Sequence, residues 1–245
     1  MKIDGTRWVV TGASAGIGEA IAAEARLRGA EVIGVARRDG SDVQADLSDP
    51  AQVDGLVDRI EADRGPIDVW VNNAGVEIPG TFVETTADEV RAIHQLNLIT
   101  PIELCRQIIP KMTTRRSGHI VNVSSMAASG AFAGMTLYAS TKGGLSNFHR
   151  VLRKELSGSP IGLTVVEVGP VPSDMLDRLY DHSLTERGFR RLRRLQLMPE
   201  VPRERVAVGV ADAVEHGRRA VRYPRRAIAF PWITSTPQRI VDLLT

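Results

Sequence analysis

Cysteine occurs once in the 245 residues, at Cys105, which excludes an internal disulfide and any metal cluster built on cysteine. No histidine, aspartate and glutamate grouping has metal-ligand spacing either, so no metal is expected. No apolar run approaches the ~20 residues that a membrane-spanning helix needs. The opening Met1-Lys-Ile-Asp-Gly-Thr6 lacks the apolar stretch of a secretory signal, and a reducing cytoplasm is the expected location. Aromatic residues make up only 4% and the net charge is only +2. With so little stacking surface and charge, a nucleic-acid partner is not expected, even at a pI near 8.9. What is present is ordinary for a soluble protein, with 43% hydrophobic and 24% charged residues. A chain of this length buries a core as one domain, here residues 1–245, and no linker or internal repeat divides it. Cys105 falls in a helical pattern and reads as a small core residue.

The chemistry is carried by Leu137-Tyr-Ala-Ser-Thr-Lys142. Tyr138 and Lys142, four apart, share one face of a helix one turn apart. A free phenol titrates near ~10, and a neighbouring ammonium favours the phenolate, bringing it closer to neutral pH. Ser125 lies upstream, where its hydroxyl can hold a carbonyl oxygen while Tyr138 gives or takes the proton. Such a set suits redox chemistry at a C–O centre supplied with hydride. The supplier's place is at the glycine turn Thr11-Gly-Ala-Ser-Ala-Gly-Ile-Gly18. It follows a buried strand, Arg7 to Thr11, and precedes a helix read from Ala20 to Arg28. Free backbone N–H groups and the helix dipole there attract a phosphate.

Together with Asn72-Asn-Ala-Gly75, Asn97 and Val168-Gly-Pro-Val-Pro-Ser173, these motifs resemble the short-chain dehydrogenase/reductase superfamily in order and spacing, over residues 6 to about 175. Val168 stands where the family usually has Pro, and Ser173 where it has Thr. The resemblance implies a Rossmann-like α/β fold, a doubly wound parallel sheet with helices on both faces in three layers. It implies the catalytic set Asn97, Ser125, Tyr138 and Lys142, with Lys142 also anchoring the nicotinamide ribose and Asn97 holding a water on the proton path. Cofactor contacts fall to Gly12, Ser14, Ala15, Gly16, Ile17, Gly18, Asp46, Leu47, Asn73, Ala74, Gly75, Gly169, Val171 and Ser173. Dinucleotide folds place an acidic residue about twenty positions after the glycine turn for a ribose hydroxyl, or an arginine for a 2′-phosphate. This chain has Arg37 and Arg38, whose planar forks suit phosphate, so NADP(H) is the expected cofactor.

Apolar runs alternate with amphipathic stretches, the pattern of a parallel sheet covered on both faces. Strands are predicted at Glu31 to Ala36, Gln44 to Asp46, Val69 to Asn72, His119 to Ser124 and Leu163 to Val168. Helices are predicted from Asp49-Pro50 to about Arg64, from the capping box Thr86-x-x-Glu89 towards Met112, and from Tyr138 to Leu156. Pro101 should kink the second of these or leave a carbonyl without its partner.

Beyond residue 175 the motifs stop. Between Leu176 and Arg226 there are thirteen basic and seven acidic residues. The stretch Arg187-Gly-Phe-Arg-Arg-Leu-Arg-Arg-Leu reads as a basic amphipathic helix. By resemblance, residues 174–200 form the flap over an apolar substrate, a carbonyl compound or secondary alcohol. An anionic carrier and an anionic membrane surface also fit such a helix. The aromatic segment around Phe230 and Trp232, in an extension of about residues 224–245, reads as core edge or subunit contact, and a homodimer or homotetramer is expected. Two alternatives stand beside this reading: a reductase of 3-oxoacyl groups carried on a thioester, and a cofactor-sensing or scaffold protein without catalysis.

Overall fold

The computed structural model describes residues 1–183, 185, 186, 190 and 199–224. The strands are β1 (Arg7–Thr11), β2 (Glu31–Ala36), β3 (Val43–Gln44), β4 (Val69–Asn72), β5 (Gly118–Ser125), β6 (Ile161–Val168) and β7 (Ala220–Tyr223). All pair in parallel, in the order β3-β2-β1-β4-β5-β6-β7. The helices are α1 (Gly16–Leu27), α2 (Pro50–Val53), α3 (Leu56–Arg64), α4 (Ala87–His94), α5 (Thr100–Arg115), α6 (Thr136–Glu155), α7 (Asp174–Asp181) and α8 (Arg203–Glu215). The predicted three-layer α/β architecture is what forms.

Side chains alternate across the sheet because successive residues of a strand point to opposite faces. Trp8 and Val10 of β1 enter the core shared with α1 and α8. Val9 of β1 and Trp70 of β4 enter the core shared with α3 and α5. Both tryptophans are fully buried, one on each side. The strand order, not the strand direction, reverses between β1 and β4, so the loops leaving these two strands diverge and leave a crevice at their carboxyl ends.

Several predicted boundaries shift for local reasons. Helix α1 begins at Gly16, inside the glycine turn, and the third strand is displaced to Val43–Gln44. The predicted helix to Arg64 is broken in two, because Gly55 adopts a left-handed φ of 62° between α2 and α3. The Thr86/Glu89 capping box forms as expected. Instead of one helix to Met112, α4 passes through a wider π-turn, Gln95–Ile99, before α5. Pro101 explains the change, since it has no N–H for the carbonyl of Asn97 four residues earlier. Strand β7 and helix α8 were not predicted: α8 packs on α1, and β7 extends the sheet beyond β6. The predicted arginine-rich helix and the C-terminal aromatic segment lie outside the described residues. No helix among the described residues is long and apolar enough to cross a membrane.

A polar chain crosses the core beneath the site. Trp70 Nε1 donates to Asn72 Oδ1 at 2.8 Å, Asn72 Nδ2 donates to Asn122 Oδ1 at 2.8 Å, and the Asn122 amide meets His149 Nδ1 at 3.2 Å. Trp70→Phe keeps most of the packing but leaves Asn72 Oδ1 without its donor. The variant is expected to lose about 1–3 kcal/mol, seen as a lower urea midpoint at unchanged slope.

Candidate active site

The glycine turn is shaped by close approach. Gly12 has φ 68°, and a Cβ there would sit 3.0 Å from Ala74 Cα. A Cβ on Gly18 would run into Gly12 O and Asn73 Nδ2. Thr11 locks the two loops together: its Oγ1 donates to Val71 O and accepts from Asn73 N and Ala74 N, at 3.1, 2.9 and 3.1 Å. Asn73 Nδ2 returns a bond to Thr11 O at 2.9 Å. No side chain caps the start of α1, so its first backbone N–H groups face the crevice, as anion sites require.

A cavity of about 730 Å³ runs along these loops. Gly12, Ser14, Ala15, Gly16, Ile17, Asn73, Ala74, Gly75, Asp46, Leu47, Val171 and Ser173 line it, as do Tyr138 and Lys142. Arg37 and Arg38 are exposed in its wall, beyond the end of β2. The shape fits an extended dinucleotide: an uncapped helix start for phosphate, a cradle that any Cβ would fill, and two guanidiniums at the far end. Gly18 lies beneath this surface, where it permits the contact between Gly12 and Asn73. Asp46 accepts from Ser48 N and Ser48 Oγ, which holds its carboxyl below the usual carboxylate range. Ser173 caps α7 by accepting from Leu176 N at 3.3 Å.

A second, smaller pocket of about 100 Å³ opens on the other side of Tyr138. Ser125, Tyr138 and Gly169 reach it, among Met126, Phe132, Met135, Met175, Leu176 and Leu179. Ser125 Oγ accepts from Ala127 N, donates to Val168 O at 3.3 Å and also bonds the Tyr138 hydroxyl. Lys142 is buried, donates to Val123 O at 2.9 Å, and places its Nζ 5.7 Å from the centre of the Tyr138 ring.

Asn97 is fully buried and stands in neither cavity. Its Oδ1 accepts from Val76 N at 2.9 Å, and its Nδ2 donates to Val76 O at 2.8 Å and to Thr141 Oγ1 at 3.3 Å. These side-chain bonds fix the loop that continues from Gly75.

The expected electrostatics also need correcting. Burial, the largest influence, raises the Tyr138 phenol above its ordinary value; Glu77 adds to the rise and the Ser125 bond opposes it. Lys142 is itself lowered to about 8 by burial, against the pull of Glu77. Glu77 is the residue that sequence reasoning missed. It is 6% exposed, neither carboxyl oxygen has a hydrogen-bond partner, and burial raises it to about 8 against the opposing charge of Lys142. The only signal in the sequence is a charge between two apolar neighbours, Val76 and Ile78. Thr11 and Thr141 were also missed as supports, because threonine in a strand or helix carries no mark of its partners. Cys105 is buried as expected, its thiol raised to about 12.

The chain matches the family described as short chain dehydrogenase over residues 7–183. It is 32% identical over 194 residues to the 3-oxoacyl-[acyl-carrier-protein] reductase FabG of Salmonella typhimurium, covering 74% of this chain and 80% of that protein. The fold is similar to that of a blue fluorescent protein from a metagenomic library, solved with NADPH. That match has a TM-score of 0.79 and 27% identity, over 91% of this chain and 98% of the other. A short-chain dehydrogenase/reductase of Burkholderia phymatum, solved with NAD, shares the fold alone, at a TM-score of 0.82 and 22% identity, over 100% of this chain and 96% of the other.

The buried carboxyl predicts a pH-dependent cost. Glu77 ordinarily titrates at 4.5 and in the folded chain at about 8, so between those values the folded state holds a proton that the unfolded state has released. Stability therefore falls as pH rises through that window. Glu77→Gln removes the effect, so its melting temperature relative to the parent should climb steadily from pH 5 to pH 8. A constant difference would show that Glu77 is not held protonated. Lys142 acts in the opposite sense above about pH 8, so the comparison ends there.

Proposed function

The chain belongs to the short-chain dehydrogenase/reductase family, and we propose that it is an NADP(H)-dependent oxidoreductase acting on a lipophilic carbonyl compound or its secondary alcohol. The observation that carries this reading is Tyr138, which stands in the wall between the dinucleotide-shaped cavity and the apolar pocket, with Ser125 on one side and Lys142 on the other. NADP(H) supplies or takes the hydride when bound. Gly12 and the start of α1 would hold its pyrophosphate, Arg37 and Arg38 its 2′-phosphate, and Lys142 its nicotinamide ribose.

In reduction, Ser125 donates a hydrogen bond to the substrate oxygen and strengthens it as negative charge develops. Tyr138 gives that oxygen its proton, and oxidation reverses the transfer. Lys142 keeps positive charge beside the phenol, while Asn97 fixes residues 75 and 76 so that the loop stays clear of Lys142 Nζ. A Cβ on Gly75 would sit 3.1 Å from Asn97 Oδ1 and 3.5 Å from Lys142 Nζ. Ser173 holds α7 in place over the substrate end of the site.

The apolar lining favours a substrate with a hydrocarbon body. A pocket of about 100 Å³ is smaller than the roughly 300–1,000 Å³ of ligand sites, so α7, the start of the proposed flap, shifts outward to admit one. The relationship to a 3-oxoacyl carrier-protein reductase supports a second reading, a 3-oxoacyl chain held on a thioester. Against an idle sensor or scaffold, both Tyr138 and Lys142 are present and both reach the cofactor-side cavity. Exposed Ile99 and Val151 support the expected homo-oligomer, with α6 and the segment before α5 at the contact.

Tyr138→Phe should lower kcat about 10²–10⁴-fold and leave NADPH affinity nearly unchanged, read by turnover of a panel of ketones and 3-oxoacyl thioesters and by nicotinamide fluorescence. Near-normal turnover would refute the mechanism. Replacing Arg37 and Arg38 by Ala removes charge-assisted bonds worth about 1.5–3 kcal/mol each. Binding of NADPH should weaken at least ~10-fold while binding of NADH barely changes. Equal losses would refute the 2′-phosphate assignment.

A further inference from the structure

Helix α7 sends two kinds of side chain towards two cavities. At about 100° per residue, Asp174 and Arg178 share one stripe of the helix, Leu176 and Leu179 lie on another, and Met175 falls between them. The linings agree with this order. Asp174 and Arg178 reach the dinucleotide-shaped cavity, Leu176 and Leu179 reach the apolar pocket, and Met175 reaches both. Ile17, the second residue of α1, also lines both. The start of α1 and the first turns of α7 therefore flank the same border, and Arg178 stands on its cofactor side.

Arg178 is exposed, and among the described residues it has no hydrogen bond or ion pair, although Asp174 lies one turn before it. Arg203, which also lines the cavity, is committed elsewhere: its Nη1 meets Glu19 Oε2 at 2.7 Å and its Nε meets Glu204 Oε1 at 3.1 Å. That pairing offsets Glu19, an acidic residue in the first turn of α1 whose charge repels a bound anion. The helix start itself offers only about half an elementary charge, whereas a pyrophosphate carries two negative ones. A free guanidinium completes the balance, and Arg178 supplies it. Arg37 and Arg38 stand at the opposite end of the cavity, beyond β2.

We propose that Arg178 is a further cofactor-binding residue: its guanidinium pairs with the pyrophosphate of the dinucleotide at the start of α1, and so ties α7, a wall of the apolar pocket, to cofactor occupancy. A planar guanidinium suits this partner, since two of its N–H groups can meet two phosphate oxygens at once. The contact is indifferent to the 2′-phosphate, which separates its role from that of Arg37 and Arg38. Leu176 and Leu179 ride on the same helix, so the apolar wall is drawn into place when the cofactor is bound. The proposal rests on the reading of the larger cavity as the dinucleotide site.

The test is a nicotinamide-fluorescence titration of the full chain with NADPH and with NADH, for the parent, Arg178→Gln, Arg178→Lys and Arg219→Gln. Arg178→Gln should weaken both dinucleotides by the same factor, about tenfold. Arg178→Lys, which keeps the charge but not the planar fork, should weaken them less. Calorimetry with 2′-AMP, which has no pyrophosphate, should show no change in Arg178→Gln. Arg219 is exposed and lines neither cavity, so Arg219→Gln, which removes the same charge, should bind both dinucleotides as the parent does. Unchanged Kd values in Arg178→Gln would overturn the proposal. A loss confined to NADPH would overturn it in favour of the 2′-phosphate, and a loss matched by Arg219→Gln in favour of the general field of the protein.

The tie to α7 is read by amide hydrogen exchange at saturating NADPH. The cofactor should slow exchange across Asp174–Asp181 in the parent and slow it less in Arg178→Gln; equal protection in the two would refute the tie. Neither measurement needs a substrate. A parent chain that binds neither dinucleotide would refute the cofactor reading itself. A parent that binds both, beside an Arg178→Gln variant that matches it, would refute only the role of Arg178.

Discussion

Two loops leave the sheet at the point where its strand order reverses, and they must touch with no Cβ between them. The contact of Gly12 and Gly18 with Asn73, locked by the hydroxyl of Thr11, is the constraint on which the rest of the site depends. It opens the start of α1 towards the crevice, because a bulkier turn would cover the N–H groups that an anion needs. It also sets the path of residues 72–77. From Asn73 the chain has only Ala74 and Gly75 before Val76 is gripped by Asn97, and that grip decides where Glu77 is buried. The contact with the glycine turn and the burial of Glu77 are thus set at two ends of one short, tightly held loop.

The grip has its own origin in α5. Proline at position 101 cannot donate to the carbonyl of Asn97, and the helix widens into a π-turn at Gln95–Ile99. A polar side chain inside this irregular turn can reach a neighbouring backbone instead of competing with its own helix. Asn97 does so, bonding Val76 twice and Thr141 once. What looks in the sequence like a misplaced asparagine and a misplaced proline is a single device, one freeing the backbone and the other using the room.

Around Tyr138 two opposed effects are at work, and their order of size matters. A nearby ammonium should lower a phenol, but the site is buried, and loss of water disfavours every charged form at once. Here burial wins: the phenol rises, the ammonium of Lys142 falls, and the carboxyl of Glu77 rises. Proximity of Tyr and Lys along one helix face therefore does not by itself fix the direction in which either group is shifted.

The amino-acid sequence by itself determined the alternation of strands and helices, the glycine turn, the Tyr138–Lys142 pair and the two arginines after β2. Each of these follows from local rules: side-chain period, φ freedom of glycine, one-turn spacing on a helix. Strands β2 and β4 fall at the residues expected from those rules, and so does the capping box at Thr86. Only the tertiary structure decided what long-range contact controls. It joined β7 to β6 and packed α8 on α1, it turned the Asn97 side chain to the loop after β4, and it buried Glu77 with neither carboxyl oxygen hydrogen-bonded. Burial is the physical reason for the division. A residue's period and backbone freedom are its own, but the water it loses, and the charge it then feels, are set by whichever distant segment folds over it.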